Sequence, residues 1–404
     1  MTSENFQRPP RYRNADQPTR RDFIGTIGRT MGLAAASISS SSLSGSPVLT
    51  AAGGQSQARG SGATKFLGYV AFQDENRISI FTLDKATGKL DWQEHIKVEG
   101  GPAPLTVDPA RKFLYVGHRG TDELSSYRID PRTGGLSLIG TIPLQGEPIS
   151  VATDRTGRFL LSVYFYQSTV AVHAVSNDGV ITFPPVEWRH SYHGPHGIVA
   201  DRSNRFVFVP HTADRGGPNA IYQYKFDQNT GRLTPNVPPR VTLKEYLGPR
   251  HVCLHPTLDV LYSSDEQGSS TTAYAIDSSA GTLTPFQTIT TLPQNFTTRN
   301  LPSEVLITPS GKFLYVANRG HDSIAGFTVD PSTGRLAANG WTATEPGPRT
   351  FSLDPQGTFV IVSGQQSGKV ASYRINQETG KLTPLQVYEG GKNPMWTLIT
   401  SLPG

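Results

Sequence analysis

Short runs of apolar residues recur along most of this chain, and each run is bounded by glycine, proline, aspartate or asparagine. Seven of them follow the pattern of "KFLYV", and they start at Lys65, Lys112, Arg158, Arg205, Asp259, Lys312 and Thr358. Apolar runs this short, punctuated by turn residues, are typical of β-strands rather than of helices. The chain is therefore expected to be rich in short strands.

A second marker, a small glycine-centred turn of the type "TGKL", also occurs seven times at spacings of 45 to 53 residues. The glycines of these turns are Gly88, Gly134, Gly179, Gly231, Gly281, Gly334 and Gly380. A repeat of this length that holds several strands matches one four-stranded blade of a β-propeller. We predict an all-β fold, a seven-bladed β-propeller over residues 62–404.

A third marker predicts how the ring closes. Every "KFLYV" run except the first is preceded by a short apolar strand that follows Gly/Pro and ends in a turn, as in "GPRTFSLDP". The run at Lys65 has no such strand before it, whereas "KNPMWTLIT" near the C-terminus has no such run after it. We predict that this C-terminal strand pairs with the first blade, since closure removes exposed sheet edges.

The N-terminal segment has a different composition. In "TRRDFIG", Arg20 and Arg21 precede a modestly apolar stretch and a serine-rich segment, a pattern that resembles a twin-arginine export signal. The apolar stretch is too short and too rich in Gly and Ser to span a bilayer. We expect residues 1–58 to be a signal peptide and linker read by the twin-arginine export machinery, and the mature protein to be periplasmic or secreted. A disordered basic tail is the alternative.

Charge and cysteine content narrow the functional classes. Residues 1–58 hold six arginines and three acidic residues, so their removal lowers the formal net charge from +5 to +2. A nearly neutral mature domain gives little reason to expect a nucleic-acid partner. The single cysteine, Cys253, excludes an intramolecular disulfide and a metal site built on several thiolates. We interpret Cys253 as a packed core thiol.

Candidate functional residues lie where each inner strand begins and where the next strand ends, because both places face one mouth of a propeller's channel. Alone, an Arg or His at the end of a loop is more often a solvated or turn-capping residue. Several arginines at one mouth, however, indicate an anionic or carbonyl-bearing ligand. The candidates are His118, Arg119, His196, His211, Arg250, His251, Glu266, Glu304, Arg319, Arg349 and Gln365.

We expect neither a metal ion nor another cofactor. His190, His193 and His196 are spaced by three residues, but they lie in the Gly/Pro loop "RHSYHGPHG", where no helix would align them. Three histidines without such alignment are weak evidence for a metal site.

Four segments carry a resemblance to a known family: "GPRHVCLHP", "SSDEQGSS", "PSEVLITPSGKFLYVANRGHDSIAGF" and "GPRTFSLDPQGTFVIV". Over residues 65–400 the chain resembles the seven-bladed lactonase family, which includes a bacterial 6-phosphogluconolactonase and a fungal carboxymuconate lactonizing enzyme. By motif, the resemblance implies catalytic roles for His196, Arg250, Glu266 and Arg319. The remaining candidates would then contact the substrate, a small-molecule lactone or anionic sugar acid.

The chain also departs from the family pattern. Family members usually carry Ser, Asp, His and Asn at the positions that are here Gly197, His211, Leu306 and Thr350. These departures, together with the export signal, favour an unphosphorylated sugar lactone over a phosphosugar lactone.

Lactone hydrolysis requires a base beside the attacking water and fixed cations beside the oxyanion. We expect His196 or Glu266 to activate the water, and Arg250 and Arg319 to hold the oxyanion. Two alternatives are a non-catalytic periplasmic propeller that binds a ligand or protein, and a muconate-type lactonizing isomerase whose arginines clamp two carboxylates. A metal-dependent lactonase is a further variant.

Overall fold

A computed structural model of the protein describes residues 65–402. Within that range the regular elements are twenty-eight β-strands and two single turns of 3-10 helix, Gln73–Glu75 and Asp214–Gly216. The predicted export signal at residues 1–58 lies outside the described residues. No helix between residues 65 and 402 has the length and apolar character needed to cross a membrane.

The strands alternate with tight turns in the order expected from the apolar runs. The first fourteen are β1 (Phe66–Phe72), β2 (Arg77–Leu83), β3 (Leu90–Lys97), β4 (Pro102–Val107), β5 (Phe113–His118), β6 (Glu123–Ile129), β7 (Leu136–Pro143), β8 (Ser150–Thr153), β9 (Phe159–Tyr164), β10 (Thr169–Ala174), β11 (Glu187–His190), β12 (Val199–Ala200), β13 (Phe206–His211) and β14 (Ala220–Phe226). The others are β15 (Leu233–Thr242), β16 (Pro249–Leu254), β17 (Val260–Asp265), β18 (Ser270–Asp277), β19 (Thr282–Thr290), β20 (Leu301–Ile307), β21 (Phe313–Arg319), β22 (Ser323–Val329), β23 (Leu336–Ala343), β24 (Pro348–Leu353), β25 (Phe359–Gly364), β26 (Lys369–Ile375), β27 (Leu382–Glu389) and β28 (Pro394–Ser401).

These strands form seven antiparallel four-stranded sheets, which are the seven blades. Six blades use consecutive strands, with β4, β8, β12, β16, β20 and β24 innermost. Blade 1 has the order β28, β1, β2, β3, so the last strand of the chain is its innermost strand. The seven-bladed β-propeller predicted from the repeats is confirmed.

Pairing of β28 with β1 closes the ring. The register runs from Phe66 opposite Ser401 to Phe72 opposite Pro394, so β1 is paired along its whole length. The predicted closure by the C-terminal strand is therefore confirmed, and neither end of the array leaves the inner edge of a blade open.

The apolar core lies between neighbouring blades. Tyr262 of blade 5, for example, belongs to one cluster with Leu314 and Val316 of blade 6. Each "KFLYV" strand is buried on both faces, because it lies inside its sheet and its sheet is covered by a blade on either side. This explains why the most regular sequence signal is also the most apolar one.

The glycine turns fit tightly against the preceding blade. Gly134 has φ of 78°, a left-handed conformation that favours glycine, and a Cβ there would lie 2.2 Å from the Leu67 side chain. Its carbonyl oxygen accepts a hydrogen bond of 2.9 Å from the Tyr69 hydroxyl of blade 1. The recurring "TGKL" turn is therefore a docking point between blades.

The same tyrosine contact recurs between other blades. The Tyr262 hydroxyl donates to the Gly334 carbonyl oxygen at 2.8 Å, and Tyr315 donates to Gly380 at 2.7 Å. Tyr115 occupies the equivalent strand position in blade 2, but its buried hydroxyl has no hydrogen-bond partner among residues 65–402. The same tyrosine position thus carries a hydrogen-bonded hydroxyl in blades 5 and 6 and an unbonded hydroxyl in blade 2.

This difference predicts opposite effects of the same substitution. Tyr262→Phe should lower the free energy of unfolding by about 1 kcal/mol, because it removes one buried hydrogen bond and leaves a carbonyl unpaired. Tyr115→Phe should be neutral or stabilising, because it removes an unsatisfied buried hydroxyl. Urea denaturation of both variants measures the difference, and equal losses in the two would contradict it.

Candidate functional site

Several inner strands carry an extra residue where they begin, at one mouth of the channel. In β16 the pairing register shifts between Pro249 and His251, which leaves Arg250 without a partner on β17. Similar shifts occur around Arg349 in β24 and around Glu304 in β20. A β-bulge re-aims the side chain of the extra residue. The same kind of bulge therefore places Arg250, Glu304 and Arg349 at the mouth.

Glu266 links two arginines from neighbouring blades. Nε of Arg250 lies 3.2 Å from Oε1 of Glu266, and Nη2 of Arg319 contacts the same oxygen. Arg319 is fixed further by a 3.1 Å hydrogen bond from its Nε to the Leu301 carbonyl oxygen. Arg250 is 2% exposed, and its Nε and Nη1 have no aligned hydrogen-bond acceptor among the described residues. Arg250 is thus shielded from solvent, and its contact with the mouth is through the carboxylate of Glu266.

Two further arginines complete a group that we call the arginine cluster: Arg119, Arg250, Arg319 and Arg349. Arg119 is paired with Glu147, whereas Arg349 forms no ion pair with any residue of the described range. Burial lowers the pKa of Arg349, and the charges of Arg250, Arg319 and Arg119 lower it further. Arg349 is partly exposed, so it is the cluster's open cation.

The charge balance of the mouth is positive. The four arginines face three glutamates, Glu147, Glu266 and Glu304, which leaves one positive charge in excess when the histidines are neutral. Burial opposes ionisation of Glu266, but Arg250 and Arg319 outweigh burial and hold the pKa of its carboxyl below the ordinary value. Like charges held this close favour binding of an anion or of a developing oxyanion.

Two histidines lie beside the cluster. The Nδ1 atom of His251 is 3.0 Å from Oε1 of Glu304, and the His251 ring centroid is 5.3 Å from that of His196. Burial lowers the pKa of both imidazoles, and Arg250 and Arg349 lower both further. Both rings are therefore neutral at neutral pH, the form in which an imidazole accepts a proton.

His118 and His211 are turned away from the cluster. Nδ1 of His118 bonds the Glu99 carbonyl oxygen at 2.7 Å and its Nε2 bonds Ser125 at 2.7 Å. His211 bonds Val209 through Nδ1 and Ser191 through Nε2. The structure gives neither histidine a free ring nitrogen for the substrate contact expected from the sequence.

The Gln365 side chain bonds the closing segment of the chain rather than an arginine of the cluster. Its Nε2 donates to Asn393 at 2.9 Å, and its side chain lines a cavity of about 710 Å³ beside the closure of blades 7 and 1. The structure therefore brings together His196, Arg119, Arg250, His251, Glu266, Glu304, Arg319 and Arg349 from the predicted set.

Three neighbours of the site were missed by sequence reasoning. Glu147, which is not among the predicted candidates, pairs with Arg119. The Trp396 ring lies 6.0 Å from His251, and the Phe165 ring 5.9 Å from His196. Trp396 is the third residue of β28. Including the third position of each inner strand among the candidates would have identified it.

Metal and thiol chemistry find no support at this mouth. Between residues 65 and 402, no three His, Cys, Asp or Glu side chains are grouped so that they could hold a metal ion. Burial raises the pKa of the Cys253 thiol, which packs with apolar residues of blades 5 and 6. A thiol in that state is a poor nucleophile.

The family model and the similar curated proteins both indicate a lactonase family. The family described as "Lactonase, 7-bladed beta-propeller" matches residues 54–399. The 6-phosphogluconolactonases of Yersinia enterocolitica and Yersinia pestis are each 33% identical to this chain over 331 residues, which cover 82% of the chain and 97% of each relative. The range 54–399 matched by the family includes strands of every blade.

Solved structures show the same fold. The periplasmic gluconolactonase of Pseudomonas aeruginosa superposes with a TM-score of 0.76 at 24% identity, covering 84% of this chain and all of that protein. At that identity the likeness concerns the arrangement of the blades.

The open cation predicts a response to anions. Arg349→Gln should raise the melting temperature without ligand, because it relieves repulsion among the arginines, and should abolish the stabilisation that gluconate gives the wild type. Thermal unfolding across a gluconate series measures both effects. Arg132→Gln, at an exposed turn, is the matched control. Equal gluconate stabilisation of wild type and Arg349→Gln would contradict the assignment.

Proposed function

This chain belongs to the seven-bladed β-propeller lactonase family, and we propose that it hydrolyses unphosphorylated sugar lactones at the mouth formed by the arginine cluster. The observation that carries the proposal is the excess of one positive charge beside two neutral imidazoles. Lactone opening needs both a cationic pocket and a proton acceptor, and the mouth supplies both.

The chemistry assigns a role to each group. Water attacks the ring carbonyl, negative charge develops on its oxygen, and the ring C–O bond then breaks to give a hydroxy acid. Arg319 and Arg349 are the accessible cations for that oxygen and for the product carboxylate. Arg250, enclosed behind Glu266, adds positive potential and holds the carboxylate in place. A preorganised charge of this kind stabilises the transition state without rearrangement.

His196 is the better base of the two expected from the sequence. Oε1 of Glu266 already contacts both Arg250 and Arg319, so this oxygen is engaged by two cations. His196 is 9% exposed, and its Nδ1 is buried without a hydrogen-bond partner among residues 65–402, which leaves Nε2 as the atom that can face the mouth. We therefore assign proton abstraction from the attacking water to Nε2 of His196.

The charge of the mouth supports the substrate class. One uncompensated positive charge matches the single carboxylate of an aldonate product. A 6-phospho substrate would bring a phosphate of roughly two further negative charges. The export motif around Arg20 and Arg21 also supports an extracytoplasmic sugar lactone, such as the one for which the Pseudomonas relative is named.

Hydrolysis can be tested with a pH-indicator assay of the mature domain on δ-gluconolactone and its 6-phosphate. We expect acid release above the spontaneous rate, with the higher kcat/KM for the unphosphorylated lactone. Arg349→Gln should reduce kcat/KM by about 10²-fold, because it removes a cation facing the developing charge. Arg132→Gln is the matched surface control.

Other outcomes would redirect the assignment. No turnover of any lactone, with gluconate still binding, would establish a non-catalytic binding propeller. Formation of a lactone from a muconate would establish the lactonizing isomerase. Activity lost on chelation would indicate a metal-dependent lactonase.

Export is a separate proposal with its own test. Replacing Arg20 and Arg21 together by Lys should retain the protein in the cytoplasm, because twin-arginine signals depend on the arginine pair. Arg11 and Arg13 replaced by Lys form the control, since they lie outside "TRRDFIG". Cell fractionation measures the distribution, and unchanged export of the Arg20/Arg21 variant would contradict the proposal.

A further inference from the structure

A cavity that the proposed reaction does not use lies between β11 of blade 3 and the two outer strands of blade 4, β14 and β15. Its volume is about 690 Å³, within the usual range for sites that bind small molecules. The wall contains two arginines and three tyrosines, which are Arg189, Arg240, Tyr192, Tyr222 and Tyr224. None of these residues belongs to the arginine cluster.

An enlarged bulge in blade 4 forms one wall of this cavity. In the β14–β15 pairing, Tyr222 stands opposite Arg240 and Tyr224 stands opposite Pro235. One residue of β14 therefore corresponds to residues 236–239 of β15, whereas the corresponding pairing in blade 7 has a single extra residue. A bulge bends its strand and re-aims the side chains beside it. The cavity is thus built by a feature in which blade 4 departs from the repeat.

Arg240 brings a cation to this wall without a carboxylate partner. Its Nη1 donates a 2.6 Å hydrogen bond to the Tyr222 hydroxyl oxygen, and it forms no ion pair with any residue of the described range. The other arginine of the wall, Arg189, has its Nη2 3.4 Å from Oε1 of Glu187. No aspartate or glutamate of residues 65–402 lines the cavity. One positive charge is therefore left for an anionic ligand.

Tyr192 offers an aromatic surface beside this cation. It is 57% exposed, and the guanidinium carbon of Arg240 lies 5.3 Å from the centroid of its ring. The Tyr222 ring lies 5.4 Å from the Tyr192 ring at an interplanar angle of 31°, so Tyr222 supports Tyr192 from one side. The exposed part of the Tyr192 ring is free to pack against a ligand.

His211, one of the departures from the family pattern, supports the same wall. Its ring centroid lies 4.3 Å from that of Tyr222. Its Nε2 lies 2.7 Å from Oγ of Ser191, which is another residue of the cavity wall. His211 therefore positions the tyrosine that accepts the hydrogen bond from Arg240, instead of contacting a substrate at the channel mouth.

We propose that this cavity binds a ring-form sugar acid, a uronate or a saccharide that contains one, with its carboxylate on Arg240 and one face of its ring on Tyr192. A pyranose presents C–H groups on a face, and these pack against an aromatic ring. A carboxylate matches the single uncompensated charge of the wall. This proposal does not rest on lactone hydrolysis, because it uses none of the residues assigned to that reaction.

The composition of the wall favours a sugar acid over other anions. A phosphate ester would bring roughly two negative charges to one uncompensated cation. An aromatic acid would pack on Tyr192 but would leave the polar groups of the wall, such as the His190 imidazole, without hydrogen-bond partners in the complex. The hydroxyls of a sugar supply such partners.

Binding can be measured by isothermal titration calorimetry of the full chain with methyl β-D-glucuronide, whose ring cannot open. We expect saturable binding that methyl β-D-glucoside, the neutral analogue, does not show at the same concentrations. Arg240→Gln should weaken binding by about 10-fold or more, because it removes a hydrogen bond between charged groups. Arg335→Gln is the matched control, since Arg335 also lies over an aromatic ring but is exposed and outside the cavity.

The aromatic contact has its own variants. Tyr192→Ala should weaken binding by about 10-fold, whereas Tyr192→Phe should retain most of it, because the ring and not the hydroxyl packs against the sugar. Tyr246→Ala, at a tyrosine that is 63% exposed outside the cavity, should leave binding unchanged. Equal binding by wild type and Tyr192→Ala would contradict the stacking. An unchanged melting temperature without ligand shows that each variant is folded.

Arg349→Gln distinguishes this cavity from the arginine cluster. It should leave glucuronide binding unchanged while it removes the response to gluconate. Loss of glucuronide binding in Arg349→Gln with retention in Arg240→Gln would place the ligand at the channel mouth and overturn the second site. Absence of binding to the wild type would overturn it as well.

Two further outcomes complete the test. Tighter binding of benzoate than of the glucuronide would overturn the assignment to a sugar acid. A wild type that hydrolyses no lactone but binds the glucuronide through Arg240 would support this inference while the proposed function fails.

Discussion

The site depends on closure of the ring by a single antiparallel pairing, that of β28 with β1. Seven blades place their inner strands around one axis only if the last blade also meets the first. Without β28 the inner edge of β1 would be exposed, and Trp396 would be absent from the vicinity of His251. Non-local pairing between the two ends of a repeat array thus positions side chains that lie far apart in the chain.

Within the closed ring, the positive charges concentrated at the channel mouth repel one another and make this part of the fold less stable. Four arginines share three glutamates, and Arg250 is almost completely enclosed. Such an arrangement is unfavourable unless each cation finds a compensating group. Glu266 contacts two of them and Glu147 a third, which leaves Arg349 without an ion pair in the described range and available to a ligand. The uncompensated charge is the feature that links stability to function.

Contacts between neighbouring blades, away from the mouth, hold the propeller together. Tyrosine hydroxyls bond the turn glycines of the next blade, and apolar clusters fill the space between sheets. These contacts are distributed around the ring, so the mouth does not have to contribute to folding. Neutral histidines and an unpaired arginine are tolerated there because the surrounding structure fixes them.

The sequence by itself determined the number of blades, their closure and the family, because these follow from the spacing of apolar runs and turns along the chain. It also indicated the mouth at which Arg250, Glu266 and Arg319 meet. Only the tertiary structure decided which side chains face that mouth. His118 and His211 satisfy both ring nitrogens within their own blades, while Arg349 stays open. The direction of a side chain depends on bulges in strand register and on partners from other blades, and neither is encoded by residue type at a repeat position.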